Sequence, residues 1–509
     1  MGRVKSATRN IAFGYIGQVA TMIMSFVLRK IFIIHLSETL LGINSTYTNI
    51  LSILNMAELG IGTALNFSLY GPVSRGEKEK IKSYMQMYRK AYYCIALVVA
   101  VMGTALAPFL KYLVKKPDGV LLRDLTLYYF IFLFNTVSSY FVAYKYSLVN
   151  AEQKNYVQTN ILTITKVVTV FFQIIVIIVT GNFYLFLITD AIIQLLQKIF
   201  VSRYLNKMYP YLTEKDIIPL SKEESDIVWK KTKALVFHKI GDVARLQTDA
   251  LIISSFIEVK MAGFVDNYNM VISSVSNFVN IIFNSVISSF GNLIATESRQ
   301  KQYEMFKVYR FFASWVYGYS FVGFMILLTP LIRIMYGDYW ALAPMVIYCI
   351  LIDYYFKGDR IVLSNYKTAA GVFEQDKYLA LIQGAVNLVI SIALVQTSLG
   401  LAGIYIGTII SGLIANITKP IIIYRACFDM GAKSYFVDTC KYLASLTAVF
   451  LVCNFISTKV LSDLNILTFL VMAVIITVIF NGAYYLLYGR TDEFKYVYGK
   501  VVSKIKKKA

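Results

Sequence analysis

Acidic residues and histidine are scarce in this 509-residue sequence: 29 Asp and Glu stand against 50 Lys and Arg, with only two His. So few histidines argue against a His-built metal site. The five cysteines (Cys94, Cys349, Cys427, Cys440 and Cys453) are odd in number and far apart. They lie in or beside apolar runs and form no CxxC, so they read as packing thiols. No GxxxxGK[ST] phosphate loop occurs, which excludes transport driven by ATP bound to this chain. Missing too is any extramembrane stretch long enough for a glycosyltransferase or polymerase domain. The chain therefore implies no catalytic residue and no cofactor, and reads as a non-enzyme.

Apolar residues are abundant instead. They make up 57% of the sequence, the mean hydropathy is +0.60, and they come in runs long enough to cross a bilayer as helix. The fold class expected is an all-α integral membrane protein of about 14 transmembrane helices. The expected spans are 10–34, 40–70, 91–110, 125–144, 157–180, 183–200, 234–257, 264–294, 311–332, 342–366, 378–398, 401–424, 442–458 and 464–488. The apolar stretch Ile11 to Ile34 follows Arg3, Lys5 and Arg9, as a signal peptide would. It is too long for one, carries Arg29 and Lys30, and lacks a small-x-small cleavage site, so it is kept as an uncleaved first span.

Most of the Lys and Arg fall on one side of this map. The positive-inside rule puts that side, and both termini, in the cytoplasm. The net charge of +21 then anchors the protein to anionic headgroups of membrane lipids, and its spread over many short loops argues against nucleic acid. Lys111, Lys115, Lys116 and Arg123 are exceptions on the outer side, read as local snorkelling rather than contact with an exported anionic sugar.

The chain also repeats itself. Phe13-Gly14-Tyr15-Ile16-Gly17-Gln18-Val19-Ala20 aligns with Phe237-His238-Lys239-Ile240-Gly241-Asp242-Val243-Ala244. Tyr144-Lys145 with Glu152-Gln153 and Tyr156 recurs as Tyr366-Lys367 with Glu374-Gln375 and Tyr378, and Gly42 and Tyr47 recur as Gly263 and Tyr268. All three matches share an offset of about 222 residues, and six spans per copy makes the copies parallel. The expected plan is an N-lobe (1–205), a cytoplasmic linker (206–233), a C-lobe (234–426) and a two-span extension with a basic tail (427–509). The lobes are expected to surround a central cavity.

Polar stripes run along several spans. His238, Asp242, Arg245 and Asp249 share one helical face, as do Asp353, Lys357, Arg360 and Ser364. The first span carries Gln18, Thr21, Ser25 and Arg29, and the second Thr48, Ser52, Asn55 and Glu58 with Gly62. The eighth carries Ser273, Asn277, Asn280, Asn284 and Ser288, while Lys166 and Asp190 add charges in spans five and six. An ionisable group at bilayer depth costs roughly 2.5–3.5 kcal/mol on insertion scales, so it faces a wet or polar interior. Interhelical pinning would explain any one residue; stripes in corresponding helices point to a hydrated cavity. Gly403, Gly407 and Ser411 form a small-xxx-small packing row.

Leu41-Gly42-Ile43-Asn44 through Ala57-Glu58-Leu59-Gly60-Ile61-Gly62, His238-Lys239-Ile240-Gly241 and Thr248-Asp249 resemble the polysaccharide transporter family of the multidrug/oligosaccharidyl-lipid/polysaccharide (MOP) exporters, the Wzx-type repeat-unit flippases. The resemblance runs over nearly the whole chain. It implies alternating access in a bacterial cytoplasmic membrane and an undecaprenyl-pyrophosphate-linked oligosaccharide as substrate, for capsule, O-antigen or exopolysaccharide. Polysaccharide polymerase and assembly proteins are the further partners it implies. Two extra C-terminal helices would help form a groove for the lipid tail. Arg29, Lys166, Arg245, Lys357 and Arg360 suit the pyrophosphate; Asn55, Asn277 and Asn280 suit sugar hydroxyls. Glu58, Asp242 and Asp249 are candidates for ion coupling. A multidrug exporter of the same superfamily, or a membrane polymerase or ligase, is the alternative.

Overall fold

The computed structural model describes residues 2–55, 58, 61–152, 154–214, 216–226, 228, 248–372, 375 and 378–506. Among them it is helical, with no strand. Helix ends are written into the sequence. Ser37 caps α2 (Glu38–Leu54) by accepting from the Leu40 amide, and Asn182 caps α7 (Phe183–Met208) through the Leu185 amide. Gly181 ends α6 (Asn155–Thr180) in the left-handed region, φ 57°, where a Cβ would be strained. Asn465 and Thr468 form a reciprocal capping box at the start of α15 (Ile466–Tyr488).

Among the described residues ten helices are long and apolar enough to span a bilayer, which makes the chain a multi-pass membrane protein. Their apolar side chains point outward as well as inward: Leu467 and Leu486 of α15 are 70% and 83% exposed, as lipid-facing residues are. Three of the remaining expected spans are interrupted or short. The second is two helices, α2 and α3 (Ile61–Arg75), with Asn55 and Glu58 between them. The tenth is α10 (Pro344–Asp359) followed by α11 (Ile361–Ala370), and α12 (Leu379–Val395) is only 17 residues long. The seventh is described from Thr248 to Ile257 only.

The chain divides into two compact units, Met1–Gly263 and Phe264–Ala509. In the first, α1 (Gly2–His35) packs on α6, and α5 (Leu122–Ala151) packs on both α4 (Lys78–Leu106) and α7. Its core is rich in tyrosine: Tyr47, Tyr88, Tyr129 and Tyr140 are fully buried. Hydroxyls pin these rings, Tyr47 donating to the Leu125 carbonyl (3.0 Å) and Tyr129 to the Gly103 carbonyl (2.9 Å). In the second unit α9 (Arg299–Tyr336) is central. It packs on α10, α14 (Lys433–Val460), α15 and α16 (Asp492–Lys506). Phe494 of α16 stacks on Trp315 of α9, and Glu493 pairs with Lys307, so the basic tail helix is fastened to α9. Tyr268 of α8 (Val259–Thr296) accepts from the Leu342 amide at 3.1 Å, two residues before α10. The small-residue row of α13 (Gly400–Ile423) faces α12, since a Cβ on Gly403 or Gly407 would collide with Leu394 or Ser391.

The first unit extends past the expected linker to take in Thr248–Ile252, the π-helical turn Ile253–Ile257 and the start of α8. This segment is bound to the turn after the short helix Leu110–Leu113. Lys115 donates its amide to the Ser254 carbonyl (2.8 Å), and its own carbonyl accepts from the Val259 amide (3.0 Å).

Candidate translocation site

The expected site residues that are described fall in both compact units. Arg29, Lys166 and Asp190 come together within the first unit, carried by α1, α6 and α7. Lys166 lies within electrostatic reach of both Arg29 and Asp190, and Asp190 of both Lys166 and Lys198. Asn135 of α5 donates to the Asp190 carboxylate at 2.9 Å. Lys198, nearly buried, reaches the Asn135 carbonyl (2.9 Å) and the Ser138 hydroxyl (2.7 Å). The α1–α6 contact that holds Arg29 near Lys166 needs a glycine, because a Cβ on Gly17 would meet the Thr163 hydroxyl.

Asn55 and Glu58, at the break in the second span, are engaged by tyrosines. Tyr140 donates to the Asn55 side-chain oxygen (2.5 Å), and Tyr92 to the Glu58 carboxylate (3.2 Å). Asn280 of α8 accepts from Tyr317 in the same manner (3.1 Å), whereas Asn277 is exposed. Many stripe hydroxyls bond their own helix: Thr21 to Gly17, Thr48 to Asn44, Ser52 to Thr48 and Ser273 to Asn269.

In the second unit Arg360 is buried and donates to the Gly412 carbonyl (3.2 Å) and to the Asn416 side chain, tying α10 to α13. Lys357, 40% exposed, pairs with Asp353 one turn earlier (2.5 Å). Asp249 is partly buried in Thr248–Ile252. Arg245 and Asp242 lie outside the described residues.

Three groups of polar residues escaped the sequence reading. Lys198 follows Asp190 and Gln194 at steps of four, a stripe visible in the sequence had it been traced past Asp190. Lys145, also nearly buried, sits on the Ser202 hydroxyl and the Asn206 side chain, each at 2.8 Å. Arg310 is 3% exposed and lies 3.4 Å from the Tyr435 ring centre. It faces Asp359 (3.7 Å) and Asp438 (3.8 Å), and donates to the Tyr435 carbonyl (2.8 Å) and the Thr439 hydroxyl (2.5 Å). The signal for it was the Tyr435, Asp438, Thr439, Tyr442 stripe on α14.

The lysines beyond Leu113 are occupied by protein. Lys116 forms an ion pair with Glu258 (2.5 Å), Lys260 approaches the same carboxylate (3.2 Å), and the Lys115 ammonium donates to the Phe256 carbonyl (2.8 Å). The Lys116 hydrogen bond holds the Glu258 carboxyl below the usual carboxylate range. Among the described residues no group of three His, Cys, Asp or Glu is placed to hold a metal ion.

No protein-family model matches the chain, and no curated protein matches it in sequence. Solved structures do match it. The lipid II flippase MurJ, in an inward closed conformation, superposes with a TM-score of 0.65 at 15% identity, over 94% of this chain and 100% of that one. An inward-facing multidrug-resistance MATE family transporter of the MOP superfamily gives 0.59 at 13% identity, over 79% of this chain and 96% of that one. A Vibrio cholerae MATE transporter gives 0.58 at 14% identity, over 85% and 99%. The fold of this chain is thus similar to that of the lipid II flippase MurJ and of these MATE transporters.

Proposed function

We propose that this protein is a flippase that carries an undecaprenyl-pyrophosphate-linked oligosaccharide across a bacterial cytoplasmic membrane by alternating access, with both termini in the cytoplasm. One observation carries the reading: Lys166 and Lys198 both lie within electrostatic reach of the Asp190 carboxylate, and Arg29 lies within reach of Lys166, so basic groups outnumber the acid there. A positive field there suits a pyrophosphate head, while the lipid tail stays in hydrocarbon. A guanidinium gives paired donors to phosphate and cannot deprotonate, which fits Arg29, and Arg245 from the repeat, as the headgroup ligands. The 94% span shared with a lipid II flippase, against 79% and 85% with the two MATE transporters, favours a lipid-linked cargo.

The test is reconstitution into proteoliposomes with a fluorescent undecaprenyl-pyrophosphate oligosaccharide, scored by protection of the label from an external quencher. Translocation is expected without ATP, and Arg29→Ala and Arg245→Ala are expected to abolish it at normal protein level. Efflux of cationic dyes driven by an ion gradient, with the lipid-linked sugar left in place, would establish the multidrug exporter instead. Reporter fusions at residue 509 and within 206–226 should both report cytoplasm.

A further inference from the structure

Charge along the tail helix α16 is one-sided. Asp492 and Glu493 open it, where the helix dipole favours acids, and no acid follows them in the sequence. Glu493 is already paired with Lys307 of α9 at 3.3 Å. Arg490 stands just before these acids, and Lys495, Lys500, Lys504, Lys506, Lys507 and Lys508 come after them. Lys495, Tyr496, Tyr498 and Lys500 are all exposed, and the Lys500 ammonium lies 5.6 Å from the Tyr496 ring centre. Basic groups and aromatic rings thus share the uncovered side of the helix.

The other side is held against spanning helices of the second unit. α15 ends at Tyr488, with Leu486 83% exposed to lipid, and only Gly489, Arg490 and Thr491 separate it from α16. Thr491 turns the chain: its hydroxyl donates to the Tyr488 carbonyl (2.8 Å) and accepts from the Phe494 amide (3.3 Å). Phe494 then folds back among Phe311, Trp315 and Tyr485 and is 4% exposed. A helix pinned this closely to the end of a spanning helix stays at the level of the phospholipid headgroups. Tyrosines at that level offer an apolar ring to lipid and a hydroxyl to water.

We propose that the exposed side of α16 is a binding site for anionic phospholipid, with Lys495 and Lys500 on headgroup phosphates and Tyr496 and Tyr498 at the edge of the hydrocarbon. Charge complementarity selects this occupant, because a run of lysines without an acid matches a surface of negative phosphates. The two exposed tyrosines beside lipid-facing α15 favour the bilayer over an acidic protein, which would leave those rings in water. Placing the site on the cytoplasmic leaflet rests on the topology proposed above; the binding itself does not.

The test places the full-length protein in nanodiscs of phosphatidylcholine alone, or of phosphatidylcholine and phosphatidylglycerol in equal parts. Hydrogen exchange is followed in peptides from α16, with peptides from α9 as the reference. No transport is measured, so a wrong cargo or a wrong topology leaves the result untouched. Phosphatidylglycerol should slow exchange in α16 by about fivefold for each lysine engaged, and salt at about 1 M should remove the effect. Lys495→Gln with Lys500→Gln should lose most of the slowing, whereas Lys495→Arg with Lys500→Arg should keep it. Wild-type exchange in α9 marks the Gln protein as folded; if α9 is disturbed, the salt titration of the wild-type protein decides alone. Equal exchange in the two lipids at low salt overturns the proposal, as does slowing that the folded Gln protein retains in full. Soluble polyglutamate that slows α16 in phosphatidylcholine as much as phosphatidylglycerol does would make the partner an acidic protein, and the lipid assignment would fail.

Discussion

Two regions hold buried positive charge in different ways. Around α5 and α7, Lys145 and Lys198 rest on neutral oxygens: Ser202 and Asn206 for one, Asn135 and Ser138 for the other. Where α9, α10 and α14 meet, Arg310 is enclosed by the Tyr435 ring and faced by two carboxylates. Neutral oxygens solvate an ammonium without cancelling its charge, and Asp190 lies within electrostatic reach of Lys198, so the α5–α7 region keeps a positive excess. A guanidinium between two acids is close to neutral at a distance and acts as a rivet joining α9, α10 and α14. Under the proposed function the first arrangement attracts an anion and the second holds the lipid-side helices together.

Removing the rivet should have the largest effect. Arg310→Ala leaves Asp359 and Asp438 facing an empty site, a loss on the order of 3–5 kcal/mol for a broken buried pair. Its melting temperature and membrane abundance should fall sharply. Arg310→Lys should recover part of the loss, because it restores charge but not the stacking on Tyr435.

Lys198→Met sharpens the contrast from the other side. It removes an ammonium held by neutral oxygens and leaves a similar volume, so stability should change by only about 1 kcal/mol. Flipping of the lipid-linked sugar should drop severalfold while the melting curve stays close to wild type. A melt as damaged as that of Arg310→Ala would erase the distinction between the two regions. Lys357→Ala should do still less, under about 1 kcal/mol, since the lysine is 40% exposed.

The sequence made the membrane class and helical architecture readable because apolar runs of bilayer length leave backbone groups no other way to pair. Arg29, Lys166 and Asp190 were readable as interior charges for the same reason. What it could not give is which helix faces which. The stripe containing Arg360 reads as cavity lining, yet the side chain ends on the Gly412 carbonyl, because α10 crosses α13 at that level. Asn55 and Glu58 looked like one face of a continuous span; the helix stops at Leu54, and tyrosines from α5 and α4 take both side chains. Arg310 was hidden because its stripe of partners lies on another helix, about 125 residues away in sequence.

The smallest effect expected is a pH dependence of the Lys116–Glu258 pair. The hydrogen bond from Lys116 lowers the Glu258 carboxyl below its ordinary value in the folded protein. A group lowered in this way contributes stability above its unfolded value and loses it as pH falls through the folded value. The contact between the Lys115 turn and Ser254–Val259 should therefore hold unchanged from pH 8 down to about 5, and loosen only below the ordinary carboxylate range, about 4.3. Hydrogen exchange at Val259, corrected for the intrinsic pH dependence of exchange, should show that late rise. Glu258→Gln should remove it and leave exchange slightly faster at every pH. A rise already present near pH 6 would mean that another group controls this contact, and would shift attention from the Lys116 pair to the main-chain exchange at Lys115.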